Sequence, residues 1–211
     1  MKQQKNRAGA FDLRTLTGTG ILLGVLLMLH ASGLGLLRIT PTNVTILQIP
    51  VVIATLAFGL SSGLVLGAGF GLASLYSAYT QPNLLSVPFM NPLVSVLPRL
   101  LIPLAVYAVA RLLRNGSVGR WWKAAVLGAV GSLANTVFVL AMLGLLYGDL
   151  AMQVFGSLGV TQGGLAVTLI AYGAVSGLPE AAVSAILSAA VLAALGRMRR
   201  VVPPPARESA Q

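Results

Sequence analysis

The sequence predicts an all-α integral membrane protein with six transmembrane helices and both termini in the cytoplasm. Hydrophobic residues make up 56% of the 211-residue chain and charged residues only 9%, whereas soluble domains carry about 25% charged residues. The apolar residues fall into long stretches, and about 20 of them in a row are enough to cross the hydrocarbon core of a bilayer. The charged residues are grouped between these stretches and indicate the direction of each crossing.

All but two of the 14 Lys and Arg residues lie in three clusters. Short loops rich in Lys and Arg remain in the cytoplasm, so the three clusters are expected on the same side of the membrane, with an even number of crossings between them. The two exceptions are Arg38 and Arg99. The clusters are Lys2, Lys5, Arg7 and Arg14, then Arg111, Arg114, Arg120 and Lys123, and finally Arg197, Arg199, Arg200 and Arg207.

The composition argues against several classes of function. The net charge is +10, but the sequence has no polar domain that could form a basic nucleic-acid-binding face. The basic residues are therefore interpreted as signals for the orientation of the helices in the membrane. The chain has no Cys, and therefore no disulfide, thiolate nucleophile or Cys-based metal site. With four acidic residues and one His, a converging set of catalytic or metal-binding groups is not expected. We therefore predict a protein that is not an enzyme and that needs no cofactor.

The first three predicted helices follow the polar breaks between the apolar stretches. The first covers residues 15–37, and residues 38–45 form a polar outer loop behind it. The second, 46–60, is short for a full crossing and opens near Gln48, so it crosses obliquely or reaches only part way. A tight cytoplasmic turn at Ser61-Ser62-Gly63 leads into the third helix. Glycines that suit close contact with a neighbouring helix recur there, at Gly63, Gly67, Gly69 and Gly71.

The fourth helix is predicted to begin at Asn91-Pro92, after a second outer loop of residues 80–90 that carries no charge. Proline is favoured in the first helical turn because it lacks the N–H that would stay unpaired there. The helix ends in the basic loop 111–123. Two consecutive Trp residues in that loop mark the cytoplasmic interface and the entry of the fifth helix.

The last part of the chain is less regular. The fifth helix runs to about residue 148, and residues 149–177 are Gly-rich and receive no assignment. Pro179 and Glu180 predict the start of the sixth helix, 178–198, with proline in the first turn and an acid at the positive end of the helix dipole. The chain is thereby divided into three parts, a cytoplasmic segment of residues 1–14, a six-helix membrane domain of residues 15–200 and a disordered cytoplasmic tail of residues 201–211.

Arg99 is the most informative single residue, because it follows Asn91 by eight positions and so lies about 12 Å into the fourth helix. An arginine at that depth does not face lipid without a large free-energy cost. It either forms an internal ion pair with Glu180 or binds an anionic ligand, through the bidentate geometry that suits a carboxylate or phosphate. The residues alone favour neither interpretation, and the two are compatible.

Neutral polar residues in the membrane and on its outer side indicate a small-molecule pocket. Asn135 lies halfway along the fifth helix, where its amide needs a neighbouring helix or a ligand as partner. His30 is alone in the first helix and is interpreted as a packed, hydrogen-bonded or interface-facing residue rather than a ligand. In the same helix, Gly20 and Gly24 permit a close helix contact. Further donors and aromatic rings on the outer side are Asn43, Asn83, Asn91, Gln48, Tyr76 and Tyr79.

An ordered set of motifs resembles a known family. The motifs are Gln48-Ile-Pro50, Phe58-Gly59, Asn91-Pro-Leu-Val-Ser-Val-Leu-Pro-Arg99, Asn135-Thr136 and Gly177-Leu-Pro-Glu180. In this order, on six predicted helices, the chain resembles the substrate-binding S components of energy-coupling factor (ECF) vitamin transporters. The resemblance implies a multi-pass protein of a prokaryotic plasma membrane that captures a vitamin or precursor outside the cell. It also implies a transmembrane coupling subunit and two cytoplasmic ATPase subunits as partners.

The resemblance also implies where the ligand and the coupling subunit bind. The family's pocket maps onto Asn43, Asn83, Asn91, Arg99, Asn135 and Glu180, to which the residues themselves add Gln48 and Tyr76. Small residues on the first helix serve docking in the family, and this chain has Gly20 and Gly24 there.

The ligand expected from these residues carries a carboxylate, held by Arg99. Pantothenate is therefore the first choice, and folate or another B vitamin is the next. Two other classes stay open. One is a non-transport membrane scaffold or assembly protein that uses its glycines only for helix packing, and the other is an autonomous secondary transporter, which commonly has paired repeats that this sequence lacks.

Overall fold

The computed structural model describes residues 13–39, 42–81, 86–113, 120–157, 159 and 163–201. The predicted segments 1–14 and 201–211 fall almost wholly outside these residues. The elements in chain order are α1 Leu13–Ala31, β1 Leu36–Ile39, β2 Thr42–Thr45, α2 Gln48–Phe58, α3 Leu60–Thr80, α4 Ser86–Phe89, α5 Pro92–Ser95, α6 Leu97–Leu112, α7 Arg120–Ser157 and α8 Leu165–Val201.

The structure has the helical bundle that the sequence predicts. Within the described ranges, five helical segments are long and apolar enough to cross a membrane. The second helix, α2, is apolar but has only 11 residues, in line with the short second helix predicted from the sequence. The five longer segments are Leu13–Ala31, Leu60–Thr80, Pro92–Leu112, Trp121–Gly156 and Leu165–Ala194.

Helix α2 lies at the centre of the bundle. Its residues from Gln48 to Thr55 are all buried, because it packs against α1, α3, α6, α7 and α8. A helix that is apolar on all sides is stable only in such a position. The buried core around it is built from Leu26, Leu47, Val51, Val52, Ala54, Leu66, Phe70, Ile102, Val106 and Leu127.

The glycines of α3 allow this helix to approach α5 and α6 closely, as the sequence predicts. A Cβ atom on Gly67 would lie 2.6 Å from the carbonyl oxygen of Arg99, and a Cβ on Gly71 would lie 2.7 Å from the Cα of Val96. Both distances are far shorter than a normal contact between carbon and another heavy atom. The close approach places the start of α6, and with it Arg99, directly against α3.

The turn between the second and third helices differs from the prediction. Ser61, Ser62 and Gly63 belong to α3, so the turn predicted there is wrong. The chain turns instead at Gly59, whose φ of 100° lies in the left-handed region, a conformation that glycine adopts without the steric penalty of a Cβ. The first helix is also shorter than predicted, because it ends at Ala31 and the chain then forms the β1–β2 hairpin.

The prediction that the sixth helix starts at Pro179-Glu180 is wrong. Pro179 lies inside α8, which begins at Leu165. A proline within a membrane helix is tolerated because neighbouring helices and local adjustments satisfy the freed backbone group. The segment α7 is interrupted at Tyr147, whose backbone angles are non-helical, so one helix ends there, close to the predicted end at about residue 148, and a second runs on to Ser157. Much of the unassigned stretch 149–177 is therefore helical.

Candidate functional site

A partly open cavity of about 630 Å³ lies between the hairpin and the ends of several helices. Its volume is within the range of pockets that hold small molecules. Residues near the C-terminal ends of α1 and α3 and near the start of α6 line it. Because the basic clusters lie at the opposite ends of α1 and α6, the positive-inside rule places the cavity in the outer half of the membrane domain.

Arg99 reaches the cavity from the first turn of α6 and is only 6% exposed. Its Nη1 donates a hydrogen bond to the carbonyl oxygen of Val94 at 2.9 Å. Its guanidinium carbon lies 5.3 Å from the centre of the Phe70 ring and 5.1 Å from that of Phe89, within the range of cation–π attraction. Its Nε is buried and has no hydrogen-bond partner among the described residues. The guanidinium is thus held in place, with its Nε unpaired among the described residues.

Glu180 lines the same cavity from α8 and is 7% exposed. Its Oε1 accepts a hydrogen bond of 2.8 Å from the backbone N–H of Thr45, at the end of β2. The hydrogen bonds described for Arg99 and Glu180 thus go to Val94 and to Thr45 rather than from one of these two side chains to the other. The guanidinium still has a favourable electrostatic interaction with Glu180. Among the described residues, Arg99 and Glu180 do not form a direct salt bridge.

Asn135 contributes a polar group from the middle of α7. It is 7% exposed, and its Oδ1 is buried without a hydrogen-bond partner among the described residues. It lines the cavity together with Thr136 of α7 and with Tyr172 and Ser176 of α8. Arg99 Nε and Asn135 Oδ1 are thus a donor and an acceptor without a described partner, on two residues that line one cavity. Buried polar groups nearly always have partners; Gln48 Oε1, Ser184 Oγ and Ser188 Oγ are unpaired in the same way, but their residues do not line the cavity.

The other predicted site residues lie elsewhere. Asn91 caps α5 by accepting from the N–H of Leu93 at 3.0 Å, and its Nδ2 donates to the Tyr147 hydroxyl at 3.3 Å. Gln48 is fully buried and donates to Ser132 Oγ at 3.2 Å, between α2 and α7. Neither Asn91 nor Gln48 is among the described residues that line the cavity.

Three predicted pocket residues are outside the cavity or beyond what the structure describes. Tyr76 is 68% exposed on α3 and is not among the lining residues. Asn43 pairs with Arg38 in the β1–β2 hairpin, where only the backbone is described. Asn83 lies outside the described residues. At Gly20 and Gly24, a Cβ atom would meet nothing within 4 Å, so this face of α1 is open.

Several lining residues were not identified from the sequence. His30 of α1 lies at the cavity, and its Nε2 is 2.7 Å from Ser77 Oγ of α3. Ser74 and Ser77 both line the cavity, and their spacing of three residues on one face of a helix is the available signal. The prediction that His30 is a packed, hydrogen-bonded residue is confirmed, but its position at the cavity was not expected.

The fold and cavity define a multi-pass membrane protein built to hold a small molecule near its outer face. Residues 14–195 match the family described as the substrate-specific component of ECF transporters, and the chain belongs to this family. The family resemblance seen in the sequence is thereby confirmed. Members are substrate-binding components of transporters rather than catalytic subunits.

The chain is also similar to a curated transporter. The pantothenate transporter PanT of Leuconostoc mesenteroides is 35% identical over 101 residues, which are 46% of this chain and 50% of that protein. The chain therefore spans about half of the length of the curated relative that it matches.

Proposed function

We propose that this protein is the substrate-capture subunit of an ATP-driven ECF importer in the plasma membrane of a prokaryote. Its ligand is a B vitamin or precursor that carries a carboxylate, and pantothenate is the first choice. The observation that carries this proposal is the buried Arg99 guanidinium, which lines the cavity with its Nε unpaired among the described residues.

The charge and geometry of Arg99 favour a carboxylate. A guanidinium presents planar pairs of N–H donors that match the two oxygens of a carboxylate. The bond from Nη1 to Val94 O fixes one side of the group, and the buried Nε has no described partner. A ligand carboxylate that reaches Nε would supply that partner. A ligand carboxylate bound to Arg99 would lie in the same cavity as the Glu180 carboxylate. The rest of the ligand must therefore include groups that donate hydrogen bonds to Glu180.

Pantothenate meets these requirements. It has a carboxylate at one end, an amide in the middle and two hydroxyl groups at the other end. The lining offers neutral partners for such groups, including the Asn135 amide and the hydroxyls of Thr136 and Ser176. The similarity to a pantothenate transporter supports the same ligand. Folate is the second candidate, because the rings of Phe70, Phe89 and Tyr172 also line the cavity and could stack on an aromatic ligand.

The proposed partners are a transmembrane coupling subunit and two cytoplasmic ATPase subunits. Transport in this scheme is a tilt of the whole subunit in the membrane, which carries the loaded cavity from the outer to the inner side. Helix α1 has an open face at Gly20 and Gly24, and small residues permit a close helix contact. We assign this face to docking on the coupling subunit.

The ligand assignment is tested by thermal unfolding of the purified protein in detergent against a panel of B vitamins and precursors. A ligand that binds only the folded state stabilises it by about 2.7 kcal/mol at 100 times its Kd. Pantothenate should raise the unfolding temperature of the wild-type protein and of Arg111→Ala, which alters an exposed arginine at the far end of α6. It should not stabilise Arg99→Ala.

The outcomes of this panel separate the candidates. Stabilisation by folate instead of pantothenate would select the second candidate. A folded protein that no compound in the panel stabilises would favour the scaffold interpretation.

The docking assignment is tested by co-purification with the coupling subunit and the ATPases. Replacing Gly20 or Gly24 by Leu should reduce the amount of complex recovered and leave ligand binding unchanged. Complex recovery equal to that of the wild type would show that this face of α1 does not dock.

A further inference from the structure

The cavity has a second set of polar side chains, which has no part in the binding of the ligand carboxylate proposed for Arg99. Arg99, Asn135 and Glu180 reach the cavity from α6, α7 and α8, whereas His30 and Ser77 reach it from α1 and α3. Helix α1 packs on α2 and α3, and α8 packs mainly on α7. The two groups of side chains therefore enter the cavity from different parts of the bundle.

The chemistry of the second group is neutral. His30 Nε2 and Ser77 Oγ are 2.7 Å apart, and the imidazole also interacts with the Ala73 backbone. A serine hydroxyl has one donor and two acceptor sites, so its bond to His30 leaves capacity for another partner. The imidazole, held by two groups of α3, fixes the position of the Ser77 hydroxyl. A fixed neutral hydroxyl suits a hydroxyl or amide group of a ligand better than a charged group.

A simpler interpretation is that His30 and Ser77 only join α1 to α3. The same pair of helices has such a bond at its other end, where Thr19 Oγ1 donates to Ser62 Oγ at 2.8 Å. Thr19 and Ser62 are both buried and are not among the lining residues. The pair of His30 and Ser77 differs because both residues line the cavity and the imidazole is only partly buried. Thr19 and Ser62 thus provide a matched control.

We propose that Ser77 is a specificity-determining contact for the neutral, hydroxyl-bearing end of the ligand whose carboxylate binds Arg99, and that His30 is its positioning residue. This assignment rests on the proposed function. It defines the ligand class more narrowly, as a monocarboxylate with a hydroxyl or amide at the end remote from the carboxylate. A ligand of this class would contact both groups of helices at once.

The test compares pantothenate with panthenol, in which the carboxylate is replaced by a primary alcohol while the two hydroxyls remain. Calorimetric titration gives the Kd of both ligands for each variant. Ser77→Ala should weaken the binding of both ligands by a similar factor, roughly tenfold for one lost hydrogen bond. Arg99→Ala should weaken pantothenate binding far more than panthenol binding. The two variants thus report on opposite ends of the ligand.

His30 is tested by substitution and rescue. His30→Leu should weaken the binding of both ligands as Ser77→Ala does, and His30→Gln, which keeps a hydrogen-bonding group, should restore part of the affinity. A variant that combines His30→Leu with Ser77→Ala should bind both ligands no more weakly than Ser77→Ala alone, because His30 acts through Ser77. Ser62→Ala should break an α1–α3 bond and leave both Kd values within about twofold of the wild type.

Two results would overturn the assignment, and they are distinguishable. If the wild type binds pantothenate and Arg99→Ala weakens it, but Ser77→Ala behaves like Ser62→Ala, the proposed function stands and the Ser77 contact is wrong. If the folded wild type binds neither pantothenate nor panthenol, the assignment of pantothenate as the ligand fails and the contact fails with it.

Discussion

Arg99 and Glu180 line one cavity, yet their described hydrogen bonds go to other residues: Arg99 donates to Val94 O, and Glu180 accepts from Thr45. A direct salt bridge would use the donors that a ligand needs and would have to be broken on binding. In the observed arrangement the two charges compensate each other electrostatically, while the Nε edge of Arg99 stays unpaired among the described residues. The cavity is therefore preorganised for an anionic group.

Substitution of Arg99 by Lys separates its charge from its geometry. Lysine keeps the positive charge but lacks the planar fork that matches a carboxylate. Pantothenate binding to Arg99→Lys should be at least tenfold weaker than to the wild type, and Arg99→Ala should lose roughly 2 kcal/mol or more. Calorimetric titration measures both. Equal affinity of Arg99→Lys and the wild type would mean that only the charge matters.

The hydrogen bond from Thr45 N to Glu180 Oε1 should fix the hairpin on α8. Glu180→Ala removes the acceptor, so hydrogen exchange of the Thr45 amide should become faster, because local opening then no longer breaks this bond. Glu180→Gln keeps an oxygen acceptor and serves as the control, with exchange close to that of the wild type. Unchanged exchange in Glu180→Ala would show that the hairpin is held by other contacts.

The close packing of α3 on α6 should depend on Gly67. A Cβ there would lie 2.6 Å from the backbone oxygen of Arg99, and a backbone atom cannot move aside as a side chain can. Gly67→Ala should lower the free energy of unfolding by about 1–3 kcal/mol, as overpacking does. Gly24→Ala is the control, since a Cβ at Gly24 meets nothing within 4 Å. Thermal unfolding in detergent measures both, and equal stabilities would contradict the close approach.

Asn135 should matter for binding more than for stability. Its Oδ1 is buried without a partner among the described residues, so the amide carries a desolvation penalty that the ligand-free protein does not recover. Asn135→Leu should leave the unfolding temperature without ligand unchanged or raise it, and should abolish stabilisation by pantothenate. A loss of stability without ligand would instead assign Asn135 to helix packing.

The sequence predicts those site residues that are polar and lie deep within the membrane-spanning segments. Arg99, Asn135 and Glu180 stand out as polar residues within apolar stretches, where a polar side chain needs an internal partner or a ligand. All three line the cavity. The number of long apolar segments was predictable for the same reason, because bilayer thickness sets their length.

The rest of the site depends on local geometry that the sequence pattern does not contain. Asn91 and Gln48 are polar and near the outer side, but Asn91 caps a helix and the side-chain nitrogen of Gln48 donates to Ser132 between two helices. His30 and Ser77 are 47 residues apart, so only the packing of α1 on α3 reveals the pair. Pro179 predicts a helix start because proline favours the first turn, whereas in α8 the apolar stretch continues through it.

A structure of the protein with pantothenate would show whether a carboxylate-bearing ligand binds in the cavity through Arg99. We expect the ligand to occupy the cavity with its carboxylate about 2.7–2.9 Å from the guanidinium nitrogens of Arg99, the usual length of such a charged hydrogen bond. A ligand bound with its carboxylate away from Arg99, or a direct bond between Arg99 and Glu180 in the complex, would contradict this expectation.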